Sequence, residues 1–270
     1  MQTPQSLMQV SGLPRIEARM LLEFVLQKPR SWLLAHDTDQ IDPEKATRFL
    51  TMAAHRRQGR PMAQLLGQRE FMGYMFDVTS DVLIPRPETE LLVEVGLNAV
   101  RPLDAPTILD LGTGSGAIAI SLALQKPKAC VVATDLSSQA LAVAQQNAQK
   151  HSAKVQWWQG SWYEALPAEG RFDLIVSNPP YIVANDPHLV QGDLRFEPIM
   201  ALTDGADGLS AIREIILGAH ARLNPNGQIW LEHGYDQSAA VQQLLLSAGF
   251  KNVQSLPDLA GILRVTGGSL

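Results

Sequence analysis

The chain has 270 residues, of which 46% are hydrophobic and 18% are charged, and its formal net charge at neutral pH is −5. A chain of this length and composition can bury one large core and a smaller second one. Its apolar runs are far shorter than the roughly 20 residues of a transmembrane helix, and no basic stretch followed by an apolar run opens the sequence, so we expect a cytoplasmic protein.

The charge is unevenly distributed along the chain, which limits the possible partners. Residues 1–70 carry ten Lys and Arg against seven Asp and Glu, whereas residues 71–270 carry twelve against twenty. Because phosphate contacts need clustered cations, the acidic second part argues against a large interface with duplex DNA.

The single cysteine, Cys130, lies in the apolar run ACVVATD. A disulfide within the chain is therefore excluded, and a core cysteine is predicted.

The beginning of the chain is predicted to form a small helical bundle. Between residues 13 and 66, apolar residues recur at the three- and four-residue spacing of amphipathic helices. Asp42 followed by Pro43 is a typical helix start, with Asp as the N-cap, and Gly59 is a typical stop.

The hydrophobic pattern changes after this bundle. Residues 69–85 form short alternating segments interrupted by Gly73, which is typical of a β-hairpin linker. From residue 86 onward, predicted helices and strands alternate to the end of the chain. This pattern predicts an α/β fold with a doubly wound parallel sheet over 86–270, preceded by the helical bundle over 1–68.

A glycine-rich loop connects the first strand and helix of the predicted sheet. The segment ILDLGTGSGAIAI places Gly112, Gly114 and Gly116 between them. Glycines let the backbone turn tightly and approach a ligand, which then faces the helix N-terminus. The loop also fits the relaxed dinucleotide-binding pattern, so it does not separate NAD from S-adenosyl-L-methionine (AdoMet). A close-packed turn that binds no ligand is the alternative.

Two acidic residues accompany this loop. Asp135 ends the next predicted strand, about 20 residues further on, where a carboxylate can accept both hydroxyls of a ribose. Capping of the following helix, which Ser137 or Ser138 can equally provide, is the alternative for Asp135. Asp110 lies just before the glycines, and three roles are open for it: orienting the loop, contacting the ligand's amino group, or an ordinary loop hydrogen bond.

The segment FDLIVSNPPYI carries a stiff turn at the carboxyl end of a buried strand, where ligands bind in open α/β sheets. The side-chain oxygen of Asn178 and the carbonyl of Pro179 can accept both hydrogens of a planar –NH₂ group, while Tyr181 lies against its plane. Two such acceptors favour a pyramidal nitrogen and aim its lone pair at a methyl-sulfonium, and no strong base is required. No hydride-transfer site accompanies the turn, so AdoMet is favoured over NAD.

With these motifs the chain closely resembles the class I AdoMet-dependent methyltransferases, and within them the release-factor glutamine methyltransferases known as PrmC or HemK. The resemblance covers nearly the whole chain and rests on REFMGYMFDV, VLIPRPETELLV, ILDLGTGSGAIAI, SNPPYI, RFEP, DGL, LEHG and RVTGG. Its most specific part is IPRPETE beside NPPY. It implies methylation of the side-chain amide nitrogen, N5, of the glutamine in the Gly-Gly-Gln motif of bacterial class 1 release factors. It also implies that residues 1–68 dock the protein substrate and that residues 86–270 form the catalytic domain.

The resemblance assigns roles to individual residues. The AdoMet-binding positions carried over from the family are Gly112, Thr113, Gly114, Ser115, Gly116, Asp135, Trp162 and Asn178. The catalytic and substrate-binding positions carried over are Asn178, Pro179, Pro180 and Tyr181. An indole at position 162, after the third strand, can cover the adenine face.

Other features complete the sequence-based expectations. The basic run Arg56, Arg57, Arg60 is either a contact for the release factor or a solvated helix end, where cations are favourable anyway. The six histidines show no metal-ligand spacing, so no metal is expected. The segment 183–207 after NPPY is too long for an ordinary connection, and we expect a lid or substrate-docking loop that orders when the partner binds.

Three alternative functions compete with this prediction. An adenine-N6 or guanine-N2 nucleic-acid methyltransferase would present the same planar amine to the same turn. The acidic second part of the chain disfavours nucleic acid as a substrate. A nicotinamide oxidoreductase and a non-catalytic scaffold are the alternatives from other classes. No membrane partner is expected, and the expected form is a monomer.

Overall fold

A computed structural model describes residues 2–270 of the chain. The residues form two compact units, Met1–Gln68 and Arg69–Leu270. No helix within residues 2–270 is both long and apolar enough to cross a bilayer.

The first unit is a helical bundle. Its described helices are α1 (Pro4–Val10), α2 (Arg15–Leu26), α3 (Arg30–Ala35), α4 (Pro43–Arg57) and α5 (Met62–Leu66). Their apolar faces meet in a core that includes the solvent-inaccessible side chains of Leu21, Leu22 and Phe49. The predicted start of α4 is confirmed, because the Asp42 carboxylate accepts two backbone N–H groups of the first turn at 2.9 and 3.2 Å.

Helix α1 was not predicted from the sequence. Its seven residues are too few to show a helical hydrophobic period. A capping box starts it instead: Thr3 Oγ1 accepts the Ser6 N–H at 3.1 Å, and Ser6 Oγ accepts the Thr3 N–H at 2.8 Å.

Two arginines of the basic run have partners inside this unit. Arg56 donates from Nε and Nη2 to the two carboxylate oxygens of Glu17 at 2.9 and 2.8 Å, which ties α4 to α2. Arg57 donates from Nη1 to the carbonyl of Ser11, just after α1. These contacts give the run a structural role, and its contact with a release factor stays a prediction.

The second unit begins with a hairpin and continues as an α/β sheet. The hairpin strands are β1 (Gln68–Phe71) and β2 (Tyr74–Asp77). The sheet strands are β3 (Thr107–Leu111), β4 (Cys130–Asp135), β5 (Val155–Gln159), β6 (Phe172–Ser177), β7 (Leu223–Glu232), β8 (Lys251–Pro257) and β9 (Leu263–Ser269). The helices are α6 (Glu90–Ala99), α7 (Ala117–Gln125), α8 (Ser138–His151), α9 (Ile199–Leu202), α10 (Ser210–Arg222) and α11 (Ser238–Ser247).

The sheet order is β5-β4-β3-β6-β7-β9-β8. Strands β3 to β7 pair in parallel, as predicted, whereas β9 is antiparallel to both β7 and β8. The parallel sheet expected from the sequence is therefore confirmed for β3 to β7, whereas β9 runs in the opposite direction and β8, which pairs with β9, runs in the direction of β3 to β7 again. A parallel neighbour needs a long crossover, usually a helix, but only residues 258–262 connect β8 to β9, so β9 returns as a hairpin.

Alternating side chains of the central strands build a core on each face of this sheet. Ile108 of β3 packs in a cluster with buried residues of α6 and α7, whereas its neighbour Leu109 packs with residues of α10 and α11. Both side chains are inaccessible to solvent. Helices thus cover both faces, which explains the continuous apolar runs of the parallel strands.

The prediction that Cys130 is a core cysteine is wrong. It is the exposed first residue of β4, and burial begins at Val131. Its thiol faces Gln156, whose Nε2 is 3.5 Å from Sγ. The apolar run was assigned to the core one residue too early, because strand ends are not visible in hydropathy.

The chain order of the strands reverses direction at β3. From β3 the chain moves to β4 and β5 on one side, and it then returns to place β6 on the other side. The carboxyl ends of β3, β4 and β6 are consequently adjacent. This edge is the topological switch point at which open α/β sheets bind ligands.

Candidate active site

A pocket of about 200 Å³ opens at this edge of the sheet. Of the residues predicted to form a site, those that line it are Gly112, Thr113, Gly114, Ser115, Asp135, Trp162, Asn178 and Pro180. Three others, Gly116, Pro179 and Tyr181, are close in sequence but do not line it. The structure therefore brings together the ends of three strands that the sequence analysis had placed there.

The three glycines of the loop all have left-handed backbones, but they meet different surroundings. A Cβ on Gly112 would lie 3.2 Å from the indole of Trp162, whereas a Cβ on Gly114 would meet nothing within 4 Å. A Cβ on Gly116 would lie 2.8 Å from Cδ1 of Ile120 and 3.1 Å from Cβ of Ala144. The first two glycines thus shape the pocket, and the third permits close packing of two helices.

Asp110 lies beneath the loop and is fully buried. Its Oδ2 accepts the Thr113 hydroxyl at 2.6 Å and the Ala119 N–H at 3.2 Å. Burial raises the pKa of this carboxyl to about 7, and these two hydrogen bonds act in the opposite direction. Of the three roles left open for Asp110, its contacts support orienting the loop and the start of α7.

Asp135 projects from the end of β4 toward the glycine loop. Its Oδ2 accepts the N–H of Gly114 at 2.8 Å, and its Oδ1 accepts the N–H of Ser137 at 2.9 Å. Burial raises its pKa, partly offset by the backbone donors. Ser137 itself caps α8, by accepting the N–H of Ala140 at 3.1 Å. Each Asp135 oxygen retains a lone pair for a ligand hydroxyl.

Trp162 closes one side of the pocket from the turn after β5. Its φ of 40° is left-handed, which is costly for an aromatic residue and typical of functional sites. The indole Nε1 donates to Glu214 Oε2 at 3.1 Å, and the six-membered ring lies over Gly112. This arrangement leaves an aromatic wall beside the glycine loop.

The turn after β6 presents Asn178 to the pocket. Its side-chain Nδ2 donates to the Thr89 hydroxyl at 3.1 Å, and its Oδ1 accepts no hydrogen bond from residues 2–270. The amide is therefore held with its donor side against the protein and its acceptor side unpaired. Pro179 is buried, and Tyr181 is half-buried beneath the turn.

Several residues around the pocket lie in motifs whose role the sequence does not reveal. Arg86 of IPRPETE forms an ion pair with Glu197 of RFEP, and the other Glu197 oxygen accepts the Ile84 N–H at 2.9 Å. The buried Glu197 holds the segment 183–207 beside the pocket. Pro198 and Met200 of that segment line the pocket. In the sequence, IPRPETE and RFEP only support the family resemblance. Their contact through Arg86 and Glu197 joins residues far apart in the chain, so sequence spacing does not predict it.

Within residues 2–270, no group of three His, Cys, Asp or Glu side chains is placed to hold a metal ion. His233 of LEHG lies between the Gly234 carbonyl at 2.8 Å and the Thr266 hydroxyl at 2.7 Å, and it joins β7 to β9. Burial lowers the pKa of this histidine.

Comparison with known proteins identifies the family. Residues 87–192 match the Methyltransferase small domain, and residues 2–67 match the PrmC N-terminal domain. A release factor glutamine methyltransferase of Bordetella pertussis is 60% identical over 259 residues, which are 96% of this chain and 96% of that protein. The chain belongs to the release factor glutamine methyltransferase family. The family's protein from Burkholderia pseudomallei is 50% identical over 274 residues, covering 99% of this chain and 96% of that protein.

Solved structures agree with the fold. A 16S rRNA N2 methyltransferase of T. thermophilus, determined with AdoMet and guanosine, has a TM-score of 0.55 and 25% identity. The match covers 75% of this chain and 49% of that one. A methyltransferase from Pyrococcus furiosus has a TM-score of 0.54 over 84% of this chain and 98% of its own, at 17% identity. The methyltransferase fold and the family expected from the sequence are confirmed.

Proposed function

We propose that this protein transfers a methyl group from AdoMet to the side-chain amide nitrogen of a glutamine, namely that of the Gly-Gly-Gln motif in bacterial class 1 release factors. The observation that carries the proposal is the orientation of Asn178. Its amide oxygen is unpaired beside the pocket while its nitrogen is bound to Thr89. An unpaired acceptor at this position suits an incoming –NH₂ group.

The residues of the pocket fit AdoMet. A left-handed Gly114 with open space around it leaves room for a ligand against the backbone, as a nucleotide-type group requires. Asp135 has lone pairs for two ribose hydroxyls, and Trp162 offers an aromatic face for adenine. When bound, AdoMet supplies an electrophilic methyl group on a sulfonium.

The acceptor glutamine is bound by the NPPY turn. Asn178 Oδ1 and the Pro179 carbonyl each accept one hydrogen of the glutamine –NH₂, and Pro180 and Tyr181 keep the turn in place. An amide nitrogen is a poor nucleophile because its lone pair is delocalised into the carbonyl. Two acceptors that pull on its hydrogens favour the pyramidal geometry and direct the lone pair into the pocket.

No general base is required in this scheme. Once the nitrogen has four substituents it is strongly acidic, and its extra proton passes to water directly. The protein's contribution is therefore positioning and electrostatic preorganisation. This fits a site in which the fully buried Asp110 lies below the loop and does not line the pocket, while Asp135, which does line it, binds the ribose.

The two units have different proposed roles. Residues 1–68 dock the release factor, in keeping with their match to the PrmC N-terminal domain, residues 69–85 link the domains, and residues 86–270 carry the chemistry. A translation factor as substrate makes the cytoplasm the proposed compartment. The proposed working form is a monomer, and nucleic acid is not a proposed substrate because the second unit is acidic.

Mass spectrometry of release-factor peptides tests the proposal. After incubation with enzyme and AdoMet, the glutamine of Gly-Gly-Gln should gain one methyl group on its side-chain nitrogen. A release factor with asparagine in place of that glutamine is the matched acceptor control and should stay unmodified. Methyl transfer to single-stranded or duplex nucleic acid, with none to the release factor, would contradict the proposal.

A further inference from the structure

A buried carboxylate lies beneath the NPPY turn and has no part in the chemistry described above. Glu232 is the last residue of β7, in the motif LEHG, and only 1% of its surface is exposed. Its Oε1 accepts the Tyr181 hydroxyl at 3.2 Å. The Thr89 hydroxyl acts on the same carboxylate as a hydrogen-bond donor that lowers its pKa, and no other side chain within residues 2–270 donates to Oε2.

No cation neutralises this carboxylate directly. Arg264 is close enough to lower the pKa of Glu232, but its Nε pairs with Asp258 at 3.3 Å. Glu88 is also near and acts in the opposite direction. Burial raises the pKa of Glu232 to about 7, with the hydroxyls of Thr89 and Tyr181 acting to lower it. A buried carboxylate without a direct cation partner is costly, so packing alone does not explain its presence.

The two hydroxyls that face Glu232 both belong to the acceptor site. Tyr181 is the last residue of NPPY, and Thr89 binds the side-chain nitrogen of Asn178. A threonine hydroxyl has one hydrogen and two lone pairs. When it accepts the Asn178 N–H, its own hydrogen is available for the Glu232 carboxylate, whose pKa this hydroxyl lowers as a hydrogen-bond donor. This polarity requires Asn178 to present its nitrogen inward and its oxygen to the pocket.

The segment after Glu232 holds the same turn by its backbone. Gln237 Nε2 donates to the carbonyls of Tyr181 and Gly208, both at 3.1 Å, and its Oε1 accepts the Gly234 N–H at 2.8 Å. A Cβ on Gly208 would lie 2.4 Å from the Tyr181 oxygen, so only glycine fits there. The motifs LEHG and DGL, to which no role had been assigned, thus meet at Tyr181.

We propose that Glu232 is a positioning residue for methyl transfer: by accepting from Thr89 and Tyr181 it fixes which way the Asn178 amide faces. The proposal rests on the function proposed above. It differs from a structural role in its effect, because a reversed Asn178 amide would offer the incoming –NH₂ a donor in place of an acceptor. Turnover of the acceptor is then lost while the fold and AdoMet binding are kept.

Two variants interrupt this chain of hydrogen bonds at different points. Glu232→Gln keeps the size of the side chain but adds N–H donors facing the hydroxyls, and Thr89→Val removes the hydroxyl at nearly constant shape. Thr89→Ser, which keeps the hydroxyl, is the conservative rescue. Asp173→Asn is the control for loss of a hydrogen-bonded carboxylate outside the site, because the half-buried Asp173 lies at the amino end of β6 and binds Thr107 and Asn224.

The kinetic experiment measures kcat on the release factor, the Kd of AdoMet and the melting temperature. Glu232→Gln and Thr89→Val should each lower kcat by about 10- to 100-fold with the AdoMet Kd within about twofold. Thr89→Ser and Asp173→Asn should stay near the wild-type kcat. Because both lesions act through Asn178, the double variant should be little worse than the poorer single variant. A kcat for Glu232→Gln within threefold of wild type would overturn the proposal, as would fully multiplicative losses.

A second readout is independent of activity and of AdoMet. In protein labelled with ¹⁵N-asparagine, the side-chain amide of Asn178 should change its NMR shift in Glu232→Gln and in Thr89→Val, but not in Asp173→Asn. An unchanged signal in both variants would overturn the proposal. This measurement also separates the two claims: wild-type protein that fails to methylate the release factor refutes the proposed function, whereas the Asn178 signal tests Glu232 alone.

Discussion

Gly116→Ala should mainly lower the stability of the fold, whereas Gly114→Ala should mainly weaken AdoMet binding, although the two glycines are only two residues apart. Both backbones are left-handed, with φ of 81° and 57°. Only Gly116 is crowded, with 2.8 Å from its added Cβ to Ile120 and 3.1 Å to Ala144. Gly114 has no atom within 4 Å of an added Cβ and lines the pocket.

The expected free energies follow from these distances. A left-handed residue that carries a Cβ costs about 1–2 kcal/mol, and that cost applies to both variants. Overpacking between α7 and α8 adds about 1–3 kcal/mol for Gly116→Ala alone. We therefore expect Gly116→Ala to lose about 2–5 kcal/mol of unfolding free energy and Gly114→Ala about 1–2 kcal/mol.

Urea denaturation gives the stability of each variant, and calorimetric titration with AdoMet gives its affinity. Gly114→Ala should weaken AdoMet binding at least tenfold, because its methyl group projects into ligand space, whereas folded Gly116→Ala should bind nearly as wild type. Equal stability losses would refute the assignment of Gly116 to helix packing. Unchanged AdoMet affinity in Gly114→Ala would refute the placement of the ligand against the loop.

Four further predictions concern the side chains of the site. Asn178→Ala should lower kcat by about 10²- to 10³-fold with AdoMet affinity within roughly tenfold, while Asn178→Asp, which keeps two acceptor oxygens, should retain measurable turnover; equal loss in both would reject the acceptor role. Asp135→Ala should weaken AdoMet binding by about 1.5–3 kcal/mol by titration, with unchanged affinity excluding the ribose contact. Glu197→Gln should speed amide hydrogen exchange in residues 187–202, because the Arg86 ion pair that holds this loop is weakened; identical exchange in the variant would show that other contacts hold it. Because the pKa of Glu232 is raised in the folded protein, the folded protein holds this proton more tightly than the unfolded chain does. The contribution of Glu232 to the unfolding free energy is therefore greatest below about pH 4.5 and is lost as the pH rises toward 7. Glu232→Gln should therefore gain in unfolding free energy relative to wild type between pH 5 and 8, and parallel pH curves would contradict the shift.

The sequence predicted those parts of the site that depend on local spacing. Gly112 and Asn178 directly follow a strand and Asp135 ends one, and the parallel order of those strands brings the three residues together. Their orientation was not predictable in the same way. Asn178 is oriented by Thr89, which lies 89 positions earlier in the chain. Hydrophobic periodicity locates elements and carries no information on such pairings.

The errors in the fold have a similar physical basis. The last two strands were recognised, but the reversed direction of β9 was not, because hydropathy does not distinguish a parallel from an antiparallel neighbour. The short connection 258–262 contained that information. Cys130 was misplaced by one residue at the start of a strand, where the apolar run begins before burial does. The capping box of α1 was visible in the sequence as a threonine three residues before a serine, but it is too weak a pattern to predict a helix alone.

The position of Trp162 has an optical consequence. The chain has five tryptophans, and Trp162 is the one whose indole lines the pocket. Indole emission depends on polarity and on nearby aromatic rings, and this indole is held by Glu214 with its face beside the glycine loop. Adenine bound at that face, as proposed above, would alter the surroundings of the one indole that lines the pocket. The unmodified protein thus carries its own fluorescent reporter of pocket occupancy.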